Sequence, residues 1–221
     1  MNSGHEQVVT ELPPHCVRID IDIDDKKLVA SFFELFSKLN YTYDEFVKKG
    51  LADSANLTAI ENVAWSMNLN YLPELVGEDR WSKYRGVTES IITQGISPVD
   101  FTASLEELNS TYLKEVIESV TDYYHLKFNK IFRGTVELVW VASGQQYQFH
   151  IDHELCGVRY HVPIITNDQA NWLFKDRDAV IKMHMPVGTA WEFWPRSIEH
   201  TVLNGGTEPR VHLIITEMFN V

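Results

Sequence analysis

His150 and Asp152 stand two residues apart, His200 follows on a later segment, and Arg210 comes soon after it. Imidazole and carboxylate groups bind first-row divalent metals, and residues two apart on a β-strand share one face. Two histidines and one carboxylate occupy one side of a metal and leave the others open. That donor set suits Fe(II), dioxygen and an oxidisable substrate. An H-x-D pair alone arises by chance in many chains. Here Phe149 and Ile151 alternate with the two candidate ligands across Tyr147 to His153. The alternation predicts a strand with its polar side inward, and a polar interior calls for something bound there.

Two further pairs repeat the pattern. Arg159 and His161 share a face, with Val158, Tyr160 and Val162 on the other, and Arg210 and His212 flank Val211. A lone arginine at a rim usually pairs with a surface carboxylate. Two arginines on strands that carry candidate ligands point instead to a bound acid. A dicarboxylate that chelates a metal at one end needs a cation at the other, and the planar, permanently charged guanidinium of Arg210 matches it. His153 and His184 read as structural or exposed. Trp140, Trp172, Trp191 and Trp194 read as core or barrel wall, with Trp191 or Trp194 near enough to His200 in sequence to edge a pocket. Gln145, Gln146 and Gln148 stand where a polar substrate would enter.

The elements that position these residues follow from periodicity. Val17, Ile19, Ile21 and Ile23 alternate with charged residues as a half-buried strand does. Asp24 and Asp25 then offer an N-cap to an apolar helical stripe from Leu28 to Leu39, and a short helix is expected from Tyr43 to Lys49, stopped by Gly50. Leu51 to Pro98 gives mixed signals. Ser104 to Glu107 has capping-box spacing and predicts a long helix with one apolar face from Leu105 to Tyr124. From Ile131 the period shortens to eight strands: Thr135 to Ala142, Tyr147 to His153, Val158 to Thr166, Asn171 to Phe174, Ala179 to His184, Ala190 to Trp194, His200 to Leu203 and Arg210 to Phe219. Closely spaced strands with Gly, Pro and Asn turns between them predict a double-sheet jelly roll, mainly β with flanking helices. Residues 1–130 are expected to form a mixed α/β part whose helices brace the core, and 131–221 the core itself, together one compact domain.

Composition bounds the function. A net charge of −12 without a basic cluster excludes the phosphate-neutralising stripe of a nucleic-acid binder. No stretch is apolar enough to span a bilayer, and Met1 to Thr10 is polar, unlike a secretory signal, so no membrane role and a cytoplasmic location are expected. Cys16 and Cys156 form no CxxC pair and read as free thiols.

Taken in order, H-I-D at His150 to Asp152, R-Y-H-V-P at Arg159 to Pro163, H-T-V-L-N at His200 to Asn204 and R-V-H-L at Arg210 to Leu213 resemble the aspartyl/asparaginyl β-hydroxylase family of Fe(II)/2-oxoglutarate-dependent dioxygenases. The resemblance covers the chain from about Gly134 onward. It implies a cupin-like double-stranded β-helix, iron held by His150, Asp152 and His200, and Arg210 on the distal carboxylate of 2-oxoglutarate. Arg159 and His161 would line the cosubstrate pocket. The animal enzymes that give the family its name lack the carboxylate ligand. Asp152 instead likens this chain to related bacterial enzymes and to the proline cis-hydroxylases. The activity implied is hydroxylation, by dioxygen, of an aliphatic C–H on an amino acid or amino-acid residue (Asp/Asn or Pro type, free or peptidyl), with decarboxylation of 2-oxoglutarate to succinate. The alternative is a non-catalytic cupin-like protein that binds a metal or small acid through the same ligands. No signature of oligomeric state is present.

Overall fold

A computed structural model gives the fold and describes residues 15–38, 42–45, 47–48, 64–69, 97–103, 108, 111–152, 156–177 and 179–219, with 64–69 and 97–103 as backbone only. Its strands are β1 (Cys16–Ile19), β2 (Ala64–Leu69), β3 (Ser97–Ala103), β4 (Gly134–Val141), β5 (Gln145–Gln146), β6 (Cys156–Ile165), β7 (Ala170–Asp176), β8 (Ala179–Met183), β9 (Ala190–Phe193), β10 (His200–Asn204) and β11 (Arg210–Met218). Helices α1 (Asp25–Lys38) and α2 (Tyr112–Phe128) lie between β1 and β4 in the chain.

The strands from β4 onward form two sheets, one with the order β9-β6-β11-β4 and one with the order β5-β10-β7-β8. The pairs are antiparallel and the chain crosses between the sheets repeatedly, which makes a double-stranded β-helix. Three earlier strands widen the first sheet. β1 pairs with β9 at one edge, while β2 pairs with β4 and then with β3 at the other.

Period-two alternation gives the large sheet two different faces. Val136, Leu138 and Trp140 of β4, Val158, Tyr160 and Val162 of β6, and Val211, Leu213 and Ile215 of β11 pack with Leu28, Phe32, Leu35 and Phe36 of α1 and Val116, Ile117 and Val120 of α2. The helices thus brace one sheet from outside. A second cluster fills the space between the sheets, joining Trp172, Phe174, Ile181 and Met183 to Trp191 and Phe193. Gly134 shows how close the packing is: a Cβ there would lie 1.8 Å from the backbone oxygen of Thr216. Backbone cannot move aside without breaking the β4–β11 ladder, so Gly134→Ala is expected to cost about 1–3 kcal/mol in denaturant unfolding.

Asp24 caps α1, its Oδ1 accepting from the Lys27 amide at 3.0 Å. Residues 43–45 and 47–48 are helical, within the expected short helix, and Gly50 lies outside the described residues. The long helix expected from Leu105 to Tyr124 is interrupted: Leu108 is helical, and α2 starts at Tyr112. Thr111 is extended, with φ −110° and ψ 151°, and its hydroxyl donates to the Leu108 carbonyl. The run Asn109-Ser110-Thr111 favours such local bonds over helix. The capping box at 104–107 lies outside the described residues. The first strand ends at Ile19 because its partner β9 is four residues long; Ile23 still reaches the core, whereas Val17 is exposed.

The largest departure falls on the strand expected from Tyr147 to His153, whose described residues, Tyr147 to Asp152, form no regular strand. Gln146 lies opposite Leu203, yet His150 lies opposite His200, so this side holds one residue more than β10 can match. His150 and His200 exchange both backbone hydrogen bonds at 2.9 Å, and the Asp152 amide then turns to the carbonyl of Pro195. An extra residue of this kind bends a strand and re-aims its side chains, as bulges do beside functional sites.

Candidate metal centre

The bulge and β10 bring three donors together. The imidazoles of His150 and His200 and the carboxylate of Asp152 present ligand atoms that all lie within 4.8 Å of one another. Asp152 Oδ1 is 3.2 Å from His150 Nε2 and 3.7 Å from His200 Nε2. Each histidine is oriented through its other nitrogen. Nδ1 of His150 donates to the Gln148 carbonyl at 2.9 Å, and Nδ1 of His200 to that of Ile198 at 3.0 Å. With the proton held on Nδ1, the lone pair of Nε2 is free to bind a metal. The buried Nε2 of His200 has no hydrogen-bond partner among the described residues, and burial first, then the neighbouring His150, pushes its pKa down to about 4 against the pull of Asp152. These residues therefore fit a divalent metal, with neutral imidazoles and an ionised carboxylate.

Asp152 stays ionised although burial opposes it. The Arg159 guanidinium, 2.7 Å from Oδ2, leads the interactions that outweigh desolvation and hold the carboxyl below its usual range. Arg159 is fixed in turn by Thr216, to which its Nε donates at 3.1 Å. It thus directly orients a candidate ligand, a contact that the sequence pattern did not reveal.

Arg210 lies deeper, 2% exposed at the start of β11. Its Nη2 lies 2.8 Å from Nδ1 of His212, its Cζ sits 5.5 Å from the Trp172 ring, and no carboxylate pairs with it among the described residues. Burial alone lowers its pKa to about 9. His161 and His212 are also buried, and burial, followed by repulsion from nearby arginines, keeps both neutral.

Trp172 joins these parts. Its ring stacks on His200 at 5.4 Å and 28°, meets His161 edge-on at 4.6 Å, and lies beside Arg210. Phe193 closes the other side of His200 at 4.7 Å, and Tyr147 packs edge-on against His150 at 4.9 Å. Trp172 was readable only as a wall residue, because strand alternation does not say which face of the small sheet meets the ligands. Trp194 does not edge the site. It packs on the helix side against Phe128, with its indole donating to Glu192. Trp191 occupies the inner face opposite His161, and Trp140 belongs to the helix-side core. Gln145, Gln146 and Gln148 are exposed, His184 is tied to the Ala170 carbonyl, and His153 lies outside the described residues.

Comparison with known proteins places the site in a family. The family model for aspartyl/asparaginyl β-hydroxylase matches residues 96–218, which include every residue of the centre. No curated protein matches the chain. Among solved structures, an oxidoreductase of the 2OG-Fe(II) oxygenase family from Burkholderia pseudomallei is 10% identical with a TM-score of 0.41, over 52% of this chain and 58% of that one. The chain thus spans little more than half the length of that oxygenase. A Pseudomonas putida prolyl-4-hydroxylase is 12% identical, covering 94% of both chains with a TM-score of 0.46. A cupin domain from Bordetella pertussis Tohama I is 19% identical over 40% of this chain and 83% of its own, with a TM-score of 0.32. With the model match extending over more than half of its length, the chain belongs to the aspartyl/asparaginyl β-hydroxylase family of enzymes.

Proposed function

We propose that this protein is an Fe(II)- and 2-oxoglutarate-dependent dioxygenase that hydroxylates an aliphatic carbon of an amino acid or amino-acid residue. The carrying observation is Trp172, whose ring stacks on His200 of the donor trio and also lies 5.5 Å from the guanidinium of Arg210, a cation that no carboxylate pairs among the described residues. A cosubstrate with a metal-chelating end and a distal carboxylate needs both within one molecule's reach. In this reading His150, Asp152 and His200 hold the iron. Arg210, positioned by His212, clamps the far carboxylate. Arg159 fixes Asp152, and together with His161 it lines the cosubstrate pocket. When bound, iron with 2-oxoglutarate and dioxygen supplies the oxidation, yielding succinate, carbon dioxide and a hydroxylated product. The chain's own contribution is to orient the reactants and keep water out, and Trp172 and Phe193 do this on the buried side of His200.

The test is direct. Protein reconstituted anaerobically with Fe(II) should develop a metal-to-ligand charge-transfer band when 2-oxoglutarate is added, and should release succinate once air is admitted. Band formation without succinate, in the presence of amino-acid and peptide mixtures, would favour a binding protein instead.

A further inference from the structure

The inner face of the large sheet carries a carboxylate that neither the donor trio nor the fold uses. On β4, Val136, Leu138 and Trp140 pack against the helices, so Glu137 between them turns to the opposite face. The register places it in a single row across the sheet: Glu137 opposite Ile214, Ile214 opposite His161, and His161 opposite Trp191. The neighbouring row holds Thr135, Thr216, Arg159 and Phe193. Glu137 therefore shares a surface with Arg159 and His161.

Its side chain is partly accessible, whereas Val136 and Leu138 beside it are closed off. No hydrogen bond or ion pair holds it among the described residues. Arg159 supplies the nearest opposing field, but that guanidinium is already bound to Asp152 and Thr216. Burial raises the pKa of Glu137 in spite of Arg159. A recessed anion without a counter-ion is unfavourable unless a ligand brings the missing cation. The dicarboxylate assigned to Arg210 brings the wrong sign. What remains is the molecule to be oxidised.

We propose that Glu137 is a specificity residue that binds a protonated nitrogen of the substrate, so that the substrate is an amine. The nitrogen belongs either to a free amino acid or to the basic side chain of a peptide. The inference rests on the dioxygenase reading above and narrows its substrate. The net charge of −12 favours approach of a cation over that of an anion. An N-acylated analogue would leave the carboxylate recessed and unpaired, a loss of about tenfold or more in affinity.

The experiment uses the full chain loaded with Zn(II), which holds the site without turnover. Wild type and Glu137→Gln are dialysed to equilibrium against 2-oxoglutarate plus one of three probe sets: free L-amino acids, their N-acetyl derivatives, or lysine- and arginine-bearing peptides with and without side-chain acetylation. Retained compounds are identified by mass spectrometry. Wild type should retain members of one amine-bearing set, which identifies the source of the nitrogen, and none of the acetylated forms. Glu137→Gln should retain 2-oxoglutarate but bind the amine about tenfold or more weakly. Its melting temperature should equal or exceed that of wild type, because an unpaired recessed charge is removed without change of shape. Equal retention of the amine by the variant overturns the proposal. So does a lowered melting temperature with binding intact, retention of acetylated forms as readily as free amines, or retention by wild type of 2-oxoglutarate alone. Failure of wild type to retain 2-oxoglutarate is a separate result, which removes the dioxygenase reading and this inference with it.

Discussion

His150→Ala and His200→Ala should each abolish stoichiometric Fe(II) binding and bring succinate release down to the protein-free background. Each removes one of two neutral imidazole donors, and the remaining pair leaves the metal too few fixed ligands for retention. The two variants should differ in stability, because the rings differ in surroundings. The His200 side chain is fully buried between Trp172 and Phe193, so truncation opens a cavity and should cost about 1–3 kcal/mol. The His150 side chain is 31% exposed on the bulge, and its loss should stay within about 1 kcal/mol. Metal analysis after gel filtration and urea unfolding of the metal-free proteins would measure both effects. Stoichiometric iron in either variant would remove that histidine from the donor set.

Arg210→Met should separate cosubstrate binding from metal binding. The guanidinium is buried without a carboxylate partner, so the free protein bears the desolvation of a charge that only a ligand can compensate. Replacing it with an apolar side chain of similar length should leave the metal-free protein as stable as wild type or up to about 4 kcal/mol more stable. His212 then loses the hydrogen-bonding partner of its Nδ1, which offsets part of that gain. Fe(II) should bind as before, since Arg210 touches none of the donor trio. Affinity for 2-oxoglutarate should fall by a factor on the order of thirty to several thousand, equivalent to about 2–5 kcal/mol for a buried charge-assisted contact. Thermal unfolding with and without 2-oxoglutarate would report both effects. Wild type gains about 2.7 kcal/mol at a hundredfold excess over its dissociation constant, and the variant should gain little. Wild-type affinity in the variant would shift the clamp to another cation, with Arg159 the first to test.

The core strands were legible in the sequence because alternation is a local property. Val136, Leu138 and Trp140, or Val158, Tyr160 and Val162, announce a strand and its buried side without reference to anything distant. The same rule misread Tyr147 to His153. Its residues alternate, but whether an alternating run becomes a strand depends on the length of edge its partner offers, and β10 is one residue short. The helix expected from Leu105 to Tyr124 breaks at Thr111, which the pattern does not show either. An apolar stripe records which side faces the core and not where the backbone leaves the helix.

Residue chemistry by itself named the donor trio, Arg210 as a carboxylate partner, and the pairing of Arg159 with His161, because metal and anion binding restrict side-chain type so narrowly. Tertiary structure alone decided what surrounds them. It placed Arg159 on Asp152, set Trp172 against both His200 and Arg210, moved Trp194 to the helix side, and left Glu137 on the inner face without a partner among the described residues. Those facts arise from register between strands far apart in the chain. Strand pairing fixes which side chains share a row, and no local pattern encodes it.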